Sequence, residues 1–173
     1  LNIEVRDLRD FPEVPEVIED GGSFVANCRK KAAGYAVALG QWVLADDSGL
    51  VVPALGGAPG VDSALYAGVH GNDEANNDKL LREMASLQGT QRDAYYVCVL
   101  ALADPSGAIV AESEGRCGGR IAPARSGQGG FGYDPLFVLP EYHQTFGELS
   151  PRVKAALSHR ARALERILPA MRR

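Results

Sequence analysis

The sequence has 173 residues, with 18 Lys and Arg against 22 Asp and Glu and a formal net charge of −4. This length fits one domain with a substantial core, so we expect a single domain over residues 1–173. A negative chain without a Lys/Arg run argues against nucleic acid as a partner. No apolar stretch approaches the roughly 18 residues of a membrane helix. Three cysteines without a Cys-x-x-Cys pair indicate a reduced, cytoplasmic protein rather than a disulfide framework or a zinc site.

The first half of the chain predicts a helix followed by a strand. Ser23 can N-cap a helix that runs to about Leu39, and Gly40 can end it. An apolar strand through residues 42–45 follows at once, and we expect Trp42 to lie in the core.

The middle of the chain predicts a second helix and then a hairpin. Residues 73–87 indicate a polar helix. Residues 95–103 and 108–114 indicate two antiparallel strands, joined by a turn at residues 104–107. The inner face of the helix carries Leu80, Leu81 and Met84. The expected fold class is therefore α/β, a mixed β-sheet with flanking helices.

Two adjacent carboxylates, Asp46 and Asp47, stand where the first strand is expected to end. Carboxylates at the end of a buried strand are costly unless a cation meets them. Oxygen ligands at such a place suit Mg²⁺, which usually takes one or two protein carboxylates and keeps waters or substrate phosphates. The alternative is a turn whose two Asp side chains are simply solvated.

Residues 126–135 read Ser-Gly-Gln-Gly-Gly-Phe-Gly-Tyr-Asp-Pro and form the most informative stretch. Its glycines can leave backbone amides accessible and can adopt positive φ. The flat ring of Phe131, such amides and the carboxylate of Asp134 together suit a purine base. The alternative is a glycine-rich hairpin with two packing aromatics, since glycine-rich loops are weak motifs.

Near the C-terminus, Lys154 and residues 158–160 (Ser-His-Arg) open what the pattern predicts to be the last helix. Lys154 and Ser158 are four residues apart and would share one helical face. Taken alone, these residues also fit an ordinary solvated face. We expect His70 and His143, which lie in loop-like stretches, to be surface residues.

Together these motifs resemble the inosine triphosphate pyrophosphatases, also called non-canonical purine nucleoside triphosphate pyrophosphatases. The matching segments keep the family's order: residues 45–50, 55–61 and 129–135, then Lys154 and residues 158–160. The resemblance implies an elongated two-lobed α/β fold with the nucleotide in the cleft between lobes. It also implies a homodimer, and Mg²⁺-dependent hydrolysis of a purine nucleoside triphosphate to the monophosphate and pyrophosphate.

The resemblance further implies residue roles. Asp47 would hold the metal or activate the attacking water, with support from Asp46. Ser48 and Lys154 would contact phosphates, and Phe131 would stack on the base. Around the polar edge of the base it places Tyr133, Asp134, His159 and Arg160, and it counts Gly132 among the substrate-binding residues. Donors there would pair with the 6-oxygen of inosine or xanthine and would reject the amino group of adenine.

The sequence departs from the family pattern in three places. Residues 1–5 resemble the family's second strand, so we expect the family's first strand and its Asn/Lys loop to be missing from these 173 residues. Ala26 stands where the family has a Glu that supports the metal, which implies that Asp47 is the one protein carboxylate that binds the metal. Leu65 stands where the family commonly has Arg. Two rival functions stay open: a pyrophosphatase for pyrimidine or modified nucleotides, and a nucleotide-binding homologue with impaired catalysis.

Overall fold

A computed structural model describes residues 3–172. In chain order these residues form α1 (Phe24–Leu39), β1 (Val43–Val51), α2 (Asp73–Glu83), β2 (Asp93–Ala103), β3 (Ile109–Ile121), β4 (Phe137–Leu139), β5 (Gln144–Thr145), α3 (Pro151–Leu157) and α4 (His159–Ile167). The expected strand at residues 1–5 lies partly outside the described range, and residues 3–5 are not in a strand. Between residues 3 and 172, no helix is long and apolar enough to cross a membrane.

The five strands form one sheet in the order β1-β2-β3-β4-β5. The two last pairs are antiparallel, and their register places Ile121 opposite Phe137 and Val138 opposite Thr145. The predicted turn joins β2 to β3, with the Gly107 N–H donating to the Asp104 carbonyl at 2.9 Å. This arrangement confirms the predicted α/β fold with a sheet and helices.

The chain divides into two compact units, each with its own apolar core. Unit 1 contains the described residues up to Asp47, residues 99–114 and the end of the chain from Ala163. Unit 2 contains residues 48–98 and 115–162.

The core of unit 1 depends on small side chains along α1. Ala32 and Ala36 are fully buried in one cluster with Ala101 and Ala103 of β2. Such short side chains let a helix approach a strand closely. The helix begins and ends as predicted: Ser23 Oγ accepts the Ala26 N–H, and Gly40 adopts the left-handed conformation at the C-cap.

The core of unit 2 is built on aromatic rings. The rings of Tyr96, Phe137 and Phe146 lie 4.6–5.8 Å apart, in the separation range that favours aromatic pairs. As predicted, α2 buries Leu80, and Met84 is buried directly after the helix.

Three sequence expectations were wrong. β1 continues through the Asp pair to Val51 instead of ending before it, because Asp46, Asp47 and Ser48 keep strand geometry. Trp42 is 61% exposed, since it lies between the αL residue Gly40 and the first residue of β1. The last helix is broken at Ser158, where the backbone is extended (ψ 157°) between α3 and α4.

Candidate functional site

Asp47 lies inside β1, with a side chain that is only 12% exposed. Successive side chains of a strand project to opposite faces, so Asp47 does not share its face with Asp46 or with the half-buried Ser48. Asp46 is exposed. The two carboxylates that look equivalent in sequence therefore differ in burial, and Asp47 is the more buried of the two.

Lys31 of α1 joins Asp47 to a second carboxylate. Its Nζ lies 3.1 Å from Asp47 Oδ1 and 2.9 Å from Glu19 Oε2, and its side chain is mostly buried. The other oxygen of Asp47, Oδ2, is buried and has no hydrogen-bond partner among residues 3–172. We call these three residues the Asp47 cluster. It contains two carboxylates and one ammonium group.

The Asp47 cluster changes the acidity of its members. Burial is the largest effect on Asp47 and raises its pKa to about 6, although Lys31 pulls in the opposite direction and Glu19 reinforces the rise. Burial by itself would lower the pKa of Lys31, but its bonds to Glu19 and its pairing with Asp47 raise the pKa overall. Lys31 therefore stays charged while Asp47 titrates just below neutral pH.

The segment before α1 is what brings Glu19 to Lys31. Tyr35 Oη of α1 accepts the Val17 N–H at 3.2 Å, and Asn27 Oδ1 accepts the Gly21 N–H at 2.7 Å. A Cβ added at Gly34 would lie 2.9 Å from a Val17 methyl, so the glycine makes room for this segment. Gly34 weakens the middle of α1 by its low helix propensity, but the structure uses that position for close packing.

In unit 2, the loop at residues 126–135 presents the ring of Phe131, which is 60% exposed. Two cations face this ring: Lys154 Nζ lies 4.6 Å from its centroid, and the Arg160 guanidinium carbon lies 5.3 Å from it. A mostly exposed aromatic ring with two positive groups nearby is a candidate stacking surface. We call Phe131, Lys154 and Arg160 the Phe131 cluster.

Asp134 contacts two members of the Phe131 cluster. Its buried carboxylate pairs with Lys154 and accepts the Phe131 N–H at 2.8 Å. Tyr96 reaches Asp134 with its hydroxyl at 3.5 Å and stacks on His159 at 4.8 Å. Burial, and then the charge of Asp134, raises the pKa of Tyr96, so its hydroxyl remains a donor.

Several loop groups are used internally. Tyr133 is buried, and its hydroxyl donates to the Ser63 carbonyl at 2.8 Å. The N–H groups of Gly129, Phe131 and Gly132 donate to Gly147, Asp134 and Asp73, respectively. The expectation of accessible amides is therefore wrong for these three positions, because the loop folds back on its own neighbours.

The sequence as a whole matches known proteins. A profile of the Ham1 family matches residues 1–170. The chain belongs to the Ham1 family. This confirms the resemblance read from the motifs. Among curated relatives of this Ham1 chain, a dITP/XTP pyrophosphatase of Rhodopirellula baltica is 56% identical over 166 residues, covering 96% of this chain and 80% of that protein. A dITP/XTP pyrophosphatase of Shouchella clausii is 52% identical over 160 residues, covering 92% and 80%.

Solved Ham1 structures have the same fold as this chain. A HAM1 protein from Coxiella burnetii superposes with a TM-score of 0.91 at 38% identity, covering 99% of this chain and 87% of that one. The Staphylococcus aureus Ham1 protein gives 0.87 at 38% identity, with coverages of 95% and 84%.

In this Ham1 chain, sequence reasoning missed Glu19. It had assigned the second carboxylate to position 26 and found Ala26 there. The structure instead places Glu19 against Lys31, which also contacts Asp47. The available signal was the acidic pair at residues 19 and 20 just before the helix cap. Sequence alone could not tell the two apart, and in the structure Asp20 pairs with Lys30 on the surface.

The Asp47 cluster fits a hard divalent cation. Asp47 offers the buried Oδ2, Glu19 offers a second carboxylate, and together they exceed the charge of Lys31 by one. Mg²⁺ commonly binds through one or two carboxylates with phosphate oxygens completing its coordination. Among residues 3–172, no three His, Cys, Asp or Glu side chains group closely enough to enclose a metal. Waters and substrate phosphates would complete the coordination of a metal here.

Proposed function

We propose that this chain hydrolyses non-canonical purine nucleoside triphosphates (dITP, ITP and XTP) to the monophosphate and pyrophosphate. The observation that carries the proposal is the 56% identity over nearly the whole chain with a dITP/XTP pyrophosphatase. The side chains support it, since the chain has both a buried, titratable carboxylate and an exposed aromatic flanked by cations.

We assign the chemistry to the Asp47 cluster. Asp47, ionised above about pH 6, is the candidate to accept a proton from the attacking water. Asp47 and Glu19 are the residues that would hold Mg²⁺. When bound, Mg²⁺ supplies charge stabilisation for the phosphates. Lys31 fixes the carboxylates and limits their repulsion. Ser48 remains a candidate donor to a phosphate.

We assign base recognition to the Phe131 cluster. Stacking on the Phe131 ring suits any purine, and the cationic donors Lys154 and Arg160 favour an oxygen acceptor at C6 over the amino group of adenine. The ammonium group of Lys154 lies beside Phe131, which supports a role near the base in preference to the predicted phosphate contact. His159 completes this region through its stack on Tyr96.

A nucleotide panel with pyrophosphate detection tests the proposal. We expect kcat/KM for ITP, dITP and XTP to exceed that for ATP by at least about 100-fold, because a pocket of donors leaves the adenine amino group unpaired. Turnover should require Mg²⁺. Preference for UTP or dTTP would favour the rival pyrimidine enzyme, and tight ITP binding without hydrolysis would favour the non-catalytic homologue.

We propose a homodimer in the cytoplasm, following the resemblance and the three buried cysteines. Sedimentation equilibrium checks the dimer, and a monomer at micromolar concentration would contradict it.

A further inference from the structure

Both backbone polar groups of Gly132 are held by side chains of α2. Asp73 Oδ2 accepts the Gly132 N–H at 2.6 Å, and Asn77 Nδ2 donates to the Gly132 carbonyl at 2.8 Å. Asn77 Nδ2 also donates to the Asp73 carbonyl at 2.7 Å. Gly132 itself has φ +59°, a left-handed conformation that glycine adopts at little cost. We call Asp73 and Asn77 the Gly132 clamp.

The Gly132 clamp acts next to Phe131. The Phe131 ring is mostly exposed, so core packing cannot fix it and its direction depends on the backbone. A second contact joins the start of the same loop to α2, because Arg125 donates to Asp78 Oδ1 at 2.8 Å and to the Glu74 carbonyl at 3.0 Å. The polar side chains of α2 therefore hold the loop at residues 126–135 through hydrogen bonds.

Asn77 differs from its neighbour Asn76 in a way that separates positioning from stability. Both side chains are 2% exposed. Asn76 satisfies its whole amide, with Oδ1 accepting the Ala67 N–H and Nδ2 donating to the carbonyls of Ser63 and Ala64. Asn77 Oδ1, in contrast, is buried without a hydrogen-bond partner among residues 3–172. A buried unpaired oxygen lowers stability, so the amide of Asn77 is explained by what its NH₂ group holds.

We propose that Asp73 and Asn77 are positioning residues for purine recognition, which fix Gly132 and thereby hold the Phe131 ring in the orientation that stacks on the base. The inference rests on the proposed function, because it needs a purine substrate at Phe131. It adds two residues on α2 that contact no substrate and act through the loop.

The test compares two Asn→Leu variants and two Asp73 variants. Asn77→Leu should raise KM for ITP by about tenfold or more, with kcat changed less than about threefold, because loop misplacement weakens base binding. Asn76→Leu, a matched change one residue away, should lower Tm more than Asn77→Leu does and should raise KM for ITP less. Asp73→Asn keeps an acceptor for the Gly132 N–H and should behave as wild type, whereas Asp73→Ala should repeat the Asn77→Leu result.

A second background tests the route through Phe131. In Phe131→Ala protein, Asn77→Leu should add less than about twofold to KM, because coupled residues are not additive. Amide hydrogen exchange by NMR on the nucleotide-free protein should show faster exchange at Gly132 in Asp73→Ala and unchanged exchange in Asp73→Asn.

The outcomes separate the two proposals. A wild type that hydrolyses ITP, with Asn77→Leu and Asp73→Ala at wild-type KM, overturns the Gly132 clamp alone. An equal KM increase with and without the Phe131 ring also overturns it. A wild type that neither binds nor hydrolyses ITP overturns both proposals. A wild type that binds ITP without hydrolysis overturns the proposed function, and Kd for ITP then replaces KM in the same comparison.

Discussion

The Asp47 cluster and the Phe131 cluster hold their functional groups in opposite ways. At Asp47, side chains fix one another: a buried carboxylate, an ammonium group and a second carboxylate form the cluster, and burial changes their acidity. At Phe131 the ring that we propose for base stacking is exposed, and the adjacent backbone is held by polar side chains of α2 and by Asp134.

The difference indicates which kind of perturbation should affect each cluster. A charge change at Asp47 alters both proton affinity and repulsion, so turnover and its pH dependence should respond. A geometric change at the loop leaves the charges intact and should alter the strength of base binding. The predictions below use this contrast.

The largest effect should come from Asp47→Asn. Loss of a general base or metal ligand should lower turnover by at least about 100-fold with little change in KM for ITP.

The buried charge of Asp47 should also make the stability of the protein depend on pH. The pKa of Asp47 in the folded protein lies above the unfolded value of 3.8, so the folded state binds the proton more tightly. The free energy of unfolding therefore rises as the pH falls from about 6 toward 3.8. Asp47→Asn should thus raise Tm at pH 8, by about 2–4 °C for each 1 kcal/mol gained.

Calorimetry at pH 8 and pH 4 checks this pH dependence of stability. The gain in Tm should disappear at the lower pH, where the wild-type carboxyl is protonated as well. Near-native turnover in Asp47→Asn would remove Asp47 from the chemistry.

The next effect should come from Phe131→Ala. Loss of base stacking should raise KM for ITP by about 10- to 100-fold, consistent with roughly 1–3 kcal/mol per stacked base. Phe131→Trp keeps a stacking surface and is the matched control. Steady-state kinetics of both variants decide the point, and equal KM values for the Ala and Trp variants would contradict a stacking role.

A smaller effect should follow from Glu19→Gln. Glu19 raises the pKa of Asp47 and Lys31 lowers it, so Glu19→Gln should shift the acid limb of the kcat profile to lower pH and Lys31→Met should shift it to higher pH. Turnover of Glu19→Gln should also fall by about tenfold, the size expected when support of a metal ligand is lost.

Asp20→Asn is the control for Glu19→Gln, because Asp20 pairs with Lys30 on the surface. Its pH–rate profile should match that of the wild type. If the acid limbs of the kcat profiles of Glu19→Gln and Lys31→Met shift in the same direction, the electrostatic account of the Asp47 cluster is contradicted.

The smallest effect should come from Ala26→Glu. If Asp47 lacked a second carboxylate, as the family pattern at Ala26 implies, this variant would need less Mg²⁺ and would turn over faster. Glu19 already supplies that group beside Lys31. We therefore expect less than about a twofold change in the half-maximal Mg²⁺ concentration and in kcat. A clear improvement in a Mg²⁺ titration would show that position 26 faces the metal.

Sequence patterns predicted what local chemistry controls. Ser23 and Gly40 mark the two ends of α1 because capping depends on one side chain and one backbone angle. Asp47 stands out in the sequence because paired carboxylates after an apolar run are unusual. The curated relatives confirm the family predicted from the motifs.

Tertiary contacts explain what the sequence did not predict. The place of Glu19 depends on a loop packed on Gly34 and Tyr35. The helix break at Ser158 interrupts a continuous helical pattern, and the Ser158 hydroxyl then caps α4 by accepting the Ala161 N–H at 3.2 Å.

One comparison tests most directly whether the Asp47 cluster performs the chemistry and the Phe131 cluster recognises the base. It measures kcat/KM for ITP and for ribose 5-triphosphate, which lacks the base, in wild type, Asp47→Asn and Phe131→Ala. We predict that Asp47→Asn lowers both values by the same factor, at least about 100-fold. Phe131→Ala should lower the ITP value by about tenfold or more and leave the ribose 5-triphosphate value within about twofold. An equal loss on both substrates in Phe131→Ala, or a loss confined to ITP in Asp47→Asn, would contradict the account.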